Sequence, residues 1–262
     1  MTKKPKSEYL FGAKGLNALD AFADRSALYA FDLDGTLAAI AYEPNLIIIE
    51  DPVKRSLMSL MKMACVAVVT GRSISDARSH LGFGPHYLIG NHGAEGLPGM
   101  TIDENIFSQL TAGWDKQASA YLARFRNQGV VIENKGSSLS IHYRNAGNRG
   151  EAQAEILDCI KKLKPKPRHI SGKYVENIIP PNAPDKGGAL LALMDSSGCG
   201  KALYAGDDET DEDVFTLEDE RIFSVHVGAG GGTAARYYLK KQEEMYQLIQ
   251  TIVKALLSSG QL

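Results

Sequence analysis

Residues 27–37, ALYAFDLDGTL, decide the fold. The apolar run Ala27–Phe31 predicts a strand buried on both faces, the kind found in parallel sheets. Asp32 and Asp34 follow where this strand ends. A turn accounts for Asp34-Gly35 but not for Asp32, because a lone carboxylate after an apolar strand is unfavourable unless a cation or hydrogen bonds meet it. Ligand sites of open α/β sheets lie outside the carboxyl ends of strands, so we predict a functional site here.

Buried strands and helices alternate elsewhere in the chain. Further apolar strands are predicted at Cys65–Val69, His86–Ile89, Ala202–Ala205 and Ile222–Val227. Helices are predicted to begin at Asp51, as the N-cap before Pro52, at Ser73, with Asp76 in capping-box position, and at Lys186. This alternation predicts an α/β fold with a doubly wound, Rossmann-like parallel sheet.

The pattern changes between residues 99 and 181. A long polar helix is predicted over Asn105–Asn127, followed by strands at 130–133 and 138–144, a helix at 151–163 and a strand at 174–179. Strand 138–144 alternates apolar and polar residues, so we expect a half-exposed antiparallel strand. We predict an inserted α+β domain at 99–181, flanked by the two parts of a core domain at 1–98 and 182–262.

Composition narrows the class of protein. With 44% apolar and 23% charged residues, the 262-residue chain is not expected to be disordered. It has 29 basic and 31 acidic residues, and this balance disfavours a nucleic-acid partner. Three widely spaced cysteines predict buried free thiols in a reducing compartment. Because we see neither an apolar run of about 18 residues nor a secretory signal, we expect no membrane partner and a cytoplasmic monomer.

Three more polar groups follow predicted strands or begin a helix. Thr70 follows the second strand, Asp207 and Asp208 follow Ala202–Ala205, and Lys186 begins a helix. Acidic residues at a helix start are favoured by the helix dipole without any further function. That explanation fails for Asp207, because it follows its strand almost directly.

These groups together suit transfer of a phosphoryl group. A phosphate monoester is a dianion, so it repels an attacking carboxylate unless positive charge is supplied. Asp32 and Asp207 are hard oxygen ligands that suit Mg²⁺, Lys186 adds a second positive charge, and Thr70 adds a hydrogen-bond donor. A carboxylate needs no base to act as a nucleophile at pH 7, and Asp34 can serve as the general acid and base.

The motifs resemble those of the haloacid-dehalogenase-like phosphatases: DLDGT at 32–36, Thr70, Lys186 and GDDETDEDVF at 206–215. GNHGAE at 90–95, ENK at 133–135 and HYR at 142–144 narrow the resemblance to the trehalose-6-phosphate phosphatase family. The resemblance implies a haloacid-dehalogenase core with an inserted cap domain. It also implies Mg²⁺-dependent hydrolysis of trehalose 6-phosphate through an aspartyl-phosphate.

The resemblance also implies roles for individual residues. Asp32 is then the nucleophile, Asp34 the acid and base, and Thr70 and Lys186 stabilise the phosphoryl group. The implied metal ligands are Asp32, Asp34, Asp207 and Asp208, with Asp211 close by. The implied substrate contacts are Gly71, Arg72, Asn91, His92, Glu95, Glu133, Lys135, His142, Arg144, Lys173 and Glu176.

The chain departs from the family at one point, and other functions stay open. The family usually shows Val-Glu-Ile, a basic residue and Pro, whereas residues 175–180 read VENIIP and retain the Glu. Alternatives are a phosphatase for sucrose, mannosylglycerate or hexose phosphates, a non-catalytic sugar-phosphate sensor, and, least favoured, a structural module. The face that Ser140, His142 and Arg144 share is expected either to line a sugar cleft or to be solvated. Gly228–Thr233 lacks the final Gly of a dinucleotide loop.

Overall fold

The chain divides into two compact units. One consists of Met1–Gly99 and Pro184–Leu262, and the other is Met100–Ala183, called the insert below. The computed structural model describes residues 7–43, 46–99, 104–172 and 174–258.

A parallel sheet forms the centre of the first unit. Among the described residues it has seven strands in the order β1-β11-β10-β9-β2-β3-β4. The strands are β1 (Glu8–Tyr9), β2 (Leu28–Phe31), β3 (Cys65–Val69), β4 (Tyr87–Ile89), β9 (Ala202–Gly206), β10 (Ile222–Val227) and β11 (Tyr237–Leu239). β2 is buried at every residue because apolar side chains point to both faces.

Helices cover both faces of this sheet. They are α1 (Ala13–Phe22), α2 (Asp51–Met61), α3 (Ile74–Leu81), α7 (Lys186–Ser197), α8 (Glu212–Phe215) and α9 (Glu244–Ser258). Tyr29 and Phe31 pack on one face in a cluster with residues of α1, α2, α3 and α9. Leu28 and Ala30 pack on the other face with residues of α7 and α8. This confirms the predicted doubly wound α/β fold.

The insert has its own sheet and core. Within its described part, four antiparallel strands run in the order β5-β6-β8-β7. Its elements are α4 (Glu104–Tyr121), α5 (Ala123–Arg126), β5 (Val131–Asn134), β6 (Leu139–His142), α6 (Arg149–Lys162), β7 (Arg168–Gly172) and β8 (Val175–Ile179). Trp114, Ile141 and Ile156 are wholly buried in its apolar core.

The structure differs from the sequence-based expectations in several elements. β1, β7 and β11 were not predicted, and the long helix is interrupted at Leu122. The N-cap of α2 is Glu50, so Asp51 is already its first residue. The expectation of a half-exposed β6 is wrong for Ser140, which is 0% exposed and donates a hydrogen bond from its hydroxyl to Asn177 Oδ1 of the neighbouring strand at 2.7 Å, so its polar group is satisfied without water.

The three cysteines are free, but only Cys159 is buried, whereas Cys65 and Cys199 are partly exposed. The expectation of three buried thiols is therefore wrong for two of them. Within the part of the chain that the structure describes, we find no helix long and apolar enough to cross a membrane.

Candidate active site

The candidate site lies where the chain reverses its direction across the sheet. From β2 the chain moves outward to β3 and β4, and it later returns to place β9 on the other side of β2. Ligands bind to open α/β sheets at such a switch point, outside the carboxyl ends of the strands. Asp32 follows β2 and donates its backbone N–H to Ala205 O of β9 at 2.9 Å. Asp207 follows β9 directly, so the two sequence-predicted carboxylates meet here.

Three carboxylates converge at this point. Asp32, Asp207 and Asp211 each offer an oxygen, and these oxygens lie within 4.8 Å of one another. Gly35 makes the approach possible, because it has a φ of +83° and a Cβ there would collide with the Asp207 carboxylate. A Cβ on Gly206 would collide with Asp211 in the same way. The small residues are therefore required by the closeness of the acids.

Lys186 lies inside this acidic group. It is the first residue of α7, whose N-cap Asp185 accepts a hydrogen bond from Gly188 N at 2.7 Å. Lys186 is 1% exposed, and its Nζ lies 2.9 Å from Asp32 Oδ1 and 2.8 Å from Asp211 Oδ1. Burial disfavours the charged ammonium, but Asp211 and Asp32 outweigh it, so the pKa of Lys186 is raised.

The loop after β9 fixes Asp211 and Asp208. Asp211 accepts hydrogen bonds from Tyr204 OH at 2.7 Å and from Asp208 N at 3.0 Å, in addition to Lys186. Asp208 in turn accepts from the N–H and hydroxyl of Thr210. Burial works against ionisation of Asp208, but Lys186 and the Thr210 hydrogen bond dominate and lower its pKa to about 2. Asp208 is thus held as a carboxylate at neutral pH.

The acidic group carries more negative charge than Lys186 neutralises. Burial, opposed by Lys186 and supported by Asp211 and Asp207, raises the pKa of Asp32 well above its usual value. Burial and repulsion from Asp211 and Asp208 raise the pKa of Asp207 to about 7. Carboxylate oxygens are ligands that hard divalent cations prefer. Both the ligand type and the surplus of negative charge fit a divalent cation at this position.

Asp34 points to a different partner. Its two carboxylate oxygens accept from Arg72 Nη2 at 2.6 Å and from Nε at 2.7 Å. The third donor, Arg72 Nη1, lies 2.7 Å from Asp76 Oδ2. Burial disfavours the charged guanidinium, but the hydrogen bonds with Asp34 and Asp76 outweigh it, so the pKa of Arg72 is raised. The structure therefore brings Asp34 and Arg72 together as a bidentate ion pair.

Thr70 directly follows β3, the strand beside β2. It is 1% exposed, and its backbone N–H donates to Ile89 O at 2.9 Å. Its hydroxyl oxygen accepts the N–H of Arg72 at 3.2 Å, so the hydroxyl proton is available for another acceptor. Gly71 packs against His92 so closely that a Cβ on Gly71 would collide with the imidazole ring.

The loop after β4 carries three more predicted residues. Asn91 and His92 have positive φ values of 50° and 56°. Asn91 is 0% exposed and donates to Glu95 Oε2 at 2.9 Å, and Ile74 N donates to the same oxygen at 2.9 Å. The hydrogen bonds between Asn91, Glu95 and Ile74 therefore stabilise the strained loop that contains His92.

The insert contains the remaining predicted substrate contacts. Glu133 Oε2 lies 2.9 Å from His142 Nε2 and 3.8 Å from Lys135 Nζ, so these three side chains form one cluster. Arg144 follows β6 and accepts Arg149 Nε at its backbone oxygen at 2.9 Å. Lys173 lies outside the described residues.

Glu176 lies inside the insert. It is 0% exposed, and its two carboxylate oxygens are each held by a pair of partners: Tyr143 and Gln153 at Oε1, His169 and Ser171 at Oε2. The next residue, Asn177, points to the opposite face of the sheet because side chains alternate along a strand. This placement favours a structural role for Glu176 over contact with a sugar.

Several residues of the site escaped sequence reasoning. Thr36 donates to Asp207 Oδ1 at 3.2 Å, and Gln242 donates to Thr36 O at 2.9 Å. Tyr204 looked like an ordinary core residue of β9, so its bond with Asp211 had no sequence signal. Asp76 had a signal for its capping position after Ser73, but none for its bond with Arg72, which precedes helix α3.

The fold, together with the carboxylates at the switch point of its sheet, defines the class of protein. A doubly wound parallel sheet with carboxylates at this position and an inserted α+β unit is the haloacid-dehalogenase type of core. The chain belongs to the trehalose-phosphatase family, whose model matches residues 30–242.

Individual relatives agree with this assignment. The chain is 30% identical over 214 residues to a trehalose-phosphate phosphatase of Mycobacterium tuberculosis, covering 78% of this chain and 54% of that protein. It is 29% identical over 240 residues to the trehalose-6-phosphate phosphatase of Escherichia coli, covering 88% and 89%. The chain thus spans about half the length of the mycobacterial relatives it matches. It superposes on the C-terminal domain of Candida albicans trehalose-6-phosphate phosphatase with a TM-score of 0.73 and 20% identity, covering 95% and 99%.

Proposed function

We propose that this protein is a Mg²⁺-dependent phosphatase that hydrolyses trehalose 6-phosphate to trehalose and phosphate through an aspartyl-phosphate. The observation that carries the proposal is the buried Asp32–Lys186–Asp211 group, joined by Asp207 at the switch point. Family membership supports the substrate, because the matched relatives are named for it.

Asp32 is the proposed nucleophile. Lys186 binds Oδ1, which leaves Oδ2 to attack phosphorus. As the Oδ2–P bond forms, the bond between phosphorus and the sugar oxygen breaks, and this oxygen takes a proton from Asp34. In the second half-reaction Asp34 accepts a proton from water, the water oxygen bonds to phosphorus, and the Oδ2–P bond breaks. Phosphate leaves and Asp32 is restored.

Charge compensation comes from several groups. The carboxylates of Asp32 and Asp207 would hold Mg²⁺, which when bound supplies positive charge against the phosphate dianion and favours the ionised form of Asp32. Lys186 adds a fixed ammonium that needs no reorganisation, because two carboxylates already hold it in place. The Thr70 hydroxyl donates a hydrogen bond to a phosphoryl oxygen, while its oxygen accepts a hydrogen bond from Arg72 N.

The insert is proposed to select the sugar. Glu133, Lys135 and His142 form a polar cluster that offers both donors and acceptors to hydroxyl groups, and Arg144 lies two residues after His142, the last residue of β6. Binding energy from a remote part of the substrate can raise turnover as well as affinity. As a cap, the insert would also exclude bulk water from the reaction.

Release of phosphate from trehalose 6-phosphate tests the proposal. We expect turnover with Mg²⁺, none with excess chelator, and none for Asp32→Asn with either. Asp20→Asn is the matched control, because Asp20 is exposed on α1. Phosphate release by Asp32→Asn at the wild-type rate contradicts the nucleophile.

A substrate panel separates the alternatives. Faster turnover of sucrose 6-phosphate, mannosylglycerate phosphate or glucose 6-phosphate than of trehalose 6-phosphate contradicts the substrate but not the chemistry. Calorimetric binding of trehalose 6-phosphate by the wild type without any phosphate release identifies a sensor instead.

A further inference from the structure

Arg72 lies between two acidic residues rather than facing an open space. The two donors Nε and Nη2 bind Asp34, the donor Nη1 binds Asp76, and the residue is 8% exposed. We infer that Arg72 is a positioning residue, which holds the acid–base carboxylate of Asp34 in a fixed orientation and does not itself bind the phosphate or the sugar. This inference rests on the proposed function and assigns Arg72 a role that differs from the substrate contact implied by the family resemblance.

The charge balance around Arg72 argues against binding of an anion. One guanidinium faces two carboxylates, those of Asp34 and Asp76, at 2.6–2.7 Å. The group of three therefore carries a net negative charge, which repels a phosphate dianion. A bidentate pair uses the planar fork of arginine for geometry as well as for charge. In Arg72 the two donors of this fork, Nε and Nη2, already bind Asp34.

One side of this arrangement is fixed more firmly than the other. Arg72 N donates to Thr70 Oγ1 at 3.2 Å, and Arg72 O accepts from Asn91 N at 2.7 Å. Asp76 is in the first turn of α3, where its N–H is bound by the N-cap Ser73 at 3.2 Å. The backbone of Arg72 is therefore fixed by Thr70 and Asn91, and its guanidinium is held by Asp76 on α3.

Asp34 has less support of its own. It lies on the loop after β2, and its side chain is 38% exposed, against 6% for Asp32. Without Arg72 it would be free to rotate toward the positive charge near Asp32. The pair with Arg72 keeps Asp34 separate from the Asp32–Asp207–Asp211 group, so that two carboxylates only two residues apart can do different work. When Asp34 transfers a proton it gives up one of the two bonds, and the other still fixes its direction.

The dependence on the leaving group distinguishes this role from a structural one. A sugar alcohol is a poor leaving group and needs a proton from Asp34, whereas 4-nitrophenolate leaves without one. General acid–base catalysis contributes roughly 100- to 10,000-fold. We expect Arg72→Gln to lower kcat/KM for trehalose 6-phosphate about 100-fold, the lower end of that range, and kcat/KM for 4-nitrophenyl phosphate less than about 3-fold. The ratio kcat/KM reports only the steps up to phosphoryl transfer to Asp32, so the later hydrolysis, which needs Asp34 as a base for both substrates, does not enter the comparison. KM should not rise for either substrate.

A double-variant comparison tests whether Arg72 acts through Asp34. If it does, adding Arg72→Gln to Asp34→Asn causes no further loss, because the residue being positioned is already inactive. Arg78→Gln is the matched control, since Arg78 is exposed on α3, the helix that carries Asp76. Asp76→Asn leaves Arg72 in place and should give the same leaving-group pattern with a smaller loss. It decides the matter if circular dichroism shows that Arg72→Gln is unfolded.

Three results overturn the inference. They are equal losses of kcat/KM on both substrates, a rise in KM of tenfold or more with kcat unchanged, and a further loss in the Asp34→Asn background. Failure of the proposed function looks different, because the wild type then hydrolyses 4-nitrophenyl phosphate but not trehalose 6-phosphate. In that case the same comparison is made between 4-nitrophenyl phosphate and the best alkyl phosphate of the panel.

Discussion

Replacing Lys186 by Met removes a buried charge while keeping the length of the side chain. Lys186 is 1% exposed and binds Asp32 and Asp211 at 2.9 and 2.8 Å. Removing one partner of a buried ion pair leaves an uncompensated charge, which destabilises a protein by about 3–5 kcal/mol. For a chain of this size each kcal/mol lowers Tm by about 2–4 °C. We therefore expect Lys186→Met to lower Tm by roughly 10 °C at pH 7.5.

Thermal unfolding with excess chelator measures this effect, because no added cation then replaces the ammonium. Lowering the pH should reduce this loss of stability, since protonated carboxyl groups carry no charge that Lys186 must neutralise. The deficit relative to wild type is thus expected to shrink between pH 7.5 and pH 5. Lys14→Met serves as the control. Its side chain is 84% exposed and its pair with Glu8 is 3.4 Å long, so it should change stability by less than about 1 kcal/mol.

Two results would refute the reasoning. One is a Tm of Lys186→Met within about 2 °C of wild type at pH 7.5, less than the shift from one kcal/mol in a chain of this size. The other is a deficit that stays constant down to pH 5, because an uncompensated carboxylate must become less harmful as it gains a proton.

Three further predictions concern other parts of the molecule. Gly35→Ala should abolish phosphate release and lower Tm, because φ is +83° and the new Cβ meets Asp207. Since the pKa of Asp207 is raised to about 7, the folded state without metal holds a proton that the unfolded chain releases; urea unfolding should show stability falling from pH 4 to pH 7, and Asp207→Asn should flatten this slope. Glu176→Ala should destabilise the insert by about 1–3 kcal/mol, seen as faster hydrogen exchange in residues 104–172, because it leaves buried donors such as His169 unpaired. Unchanged activity, a flat wild-type profile and unchanged exchange would contradict these three in turn.

The core sheet was predictable because its signal is local. The apolar runs of β2, β3, β9 and β10 are buried on both faces and are bounded by turns. The short strands β1 and β11 gave no such signal. β1 has two residues and β11 has three, and they are strands because they pair with each other and β11 pairs with β10.

The site was predictable to the level of residue type and strand end, but not of partner. Asp32, Asp207 and Lys186 follow from position, since strand ends and a helix start point to one edge of the sheet. The choice of Asp76 as a second partner for Arg72 depends on side-chain direction, which spacing alone does not give. The burial of Glu176 depends on which face of β8 the helices cover. That is a property of the packed insert rather than of the residues beside it.

β2 lies between β9 and β3 in the sheet, and these two neighbours are synthesised at very different times. β3 begins at Cys65, whereas β9 begins at Ala202. At roughly 5–20 residues per second, the ribosome takes between several seconds and half a minute to pass from one to the other. During this interval the nascent chain has an apolar strand with one unpaired edge, and such edges invite association with other chains. A shortened product ending before β9 would also lack Asp207 and Asp211, so the acidic group at the end of β2 is completed only late in synthesis.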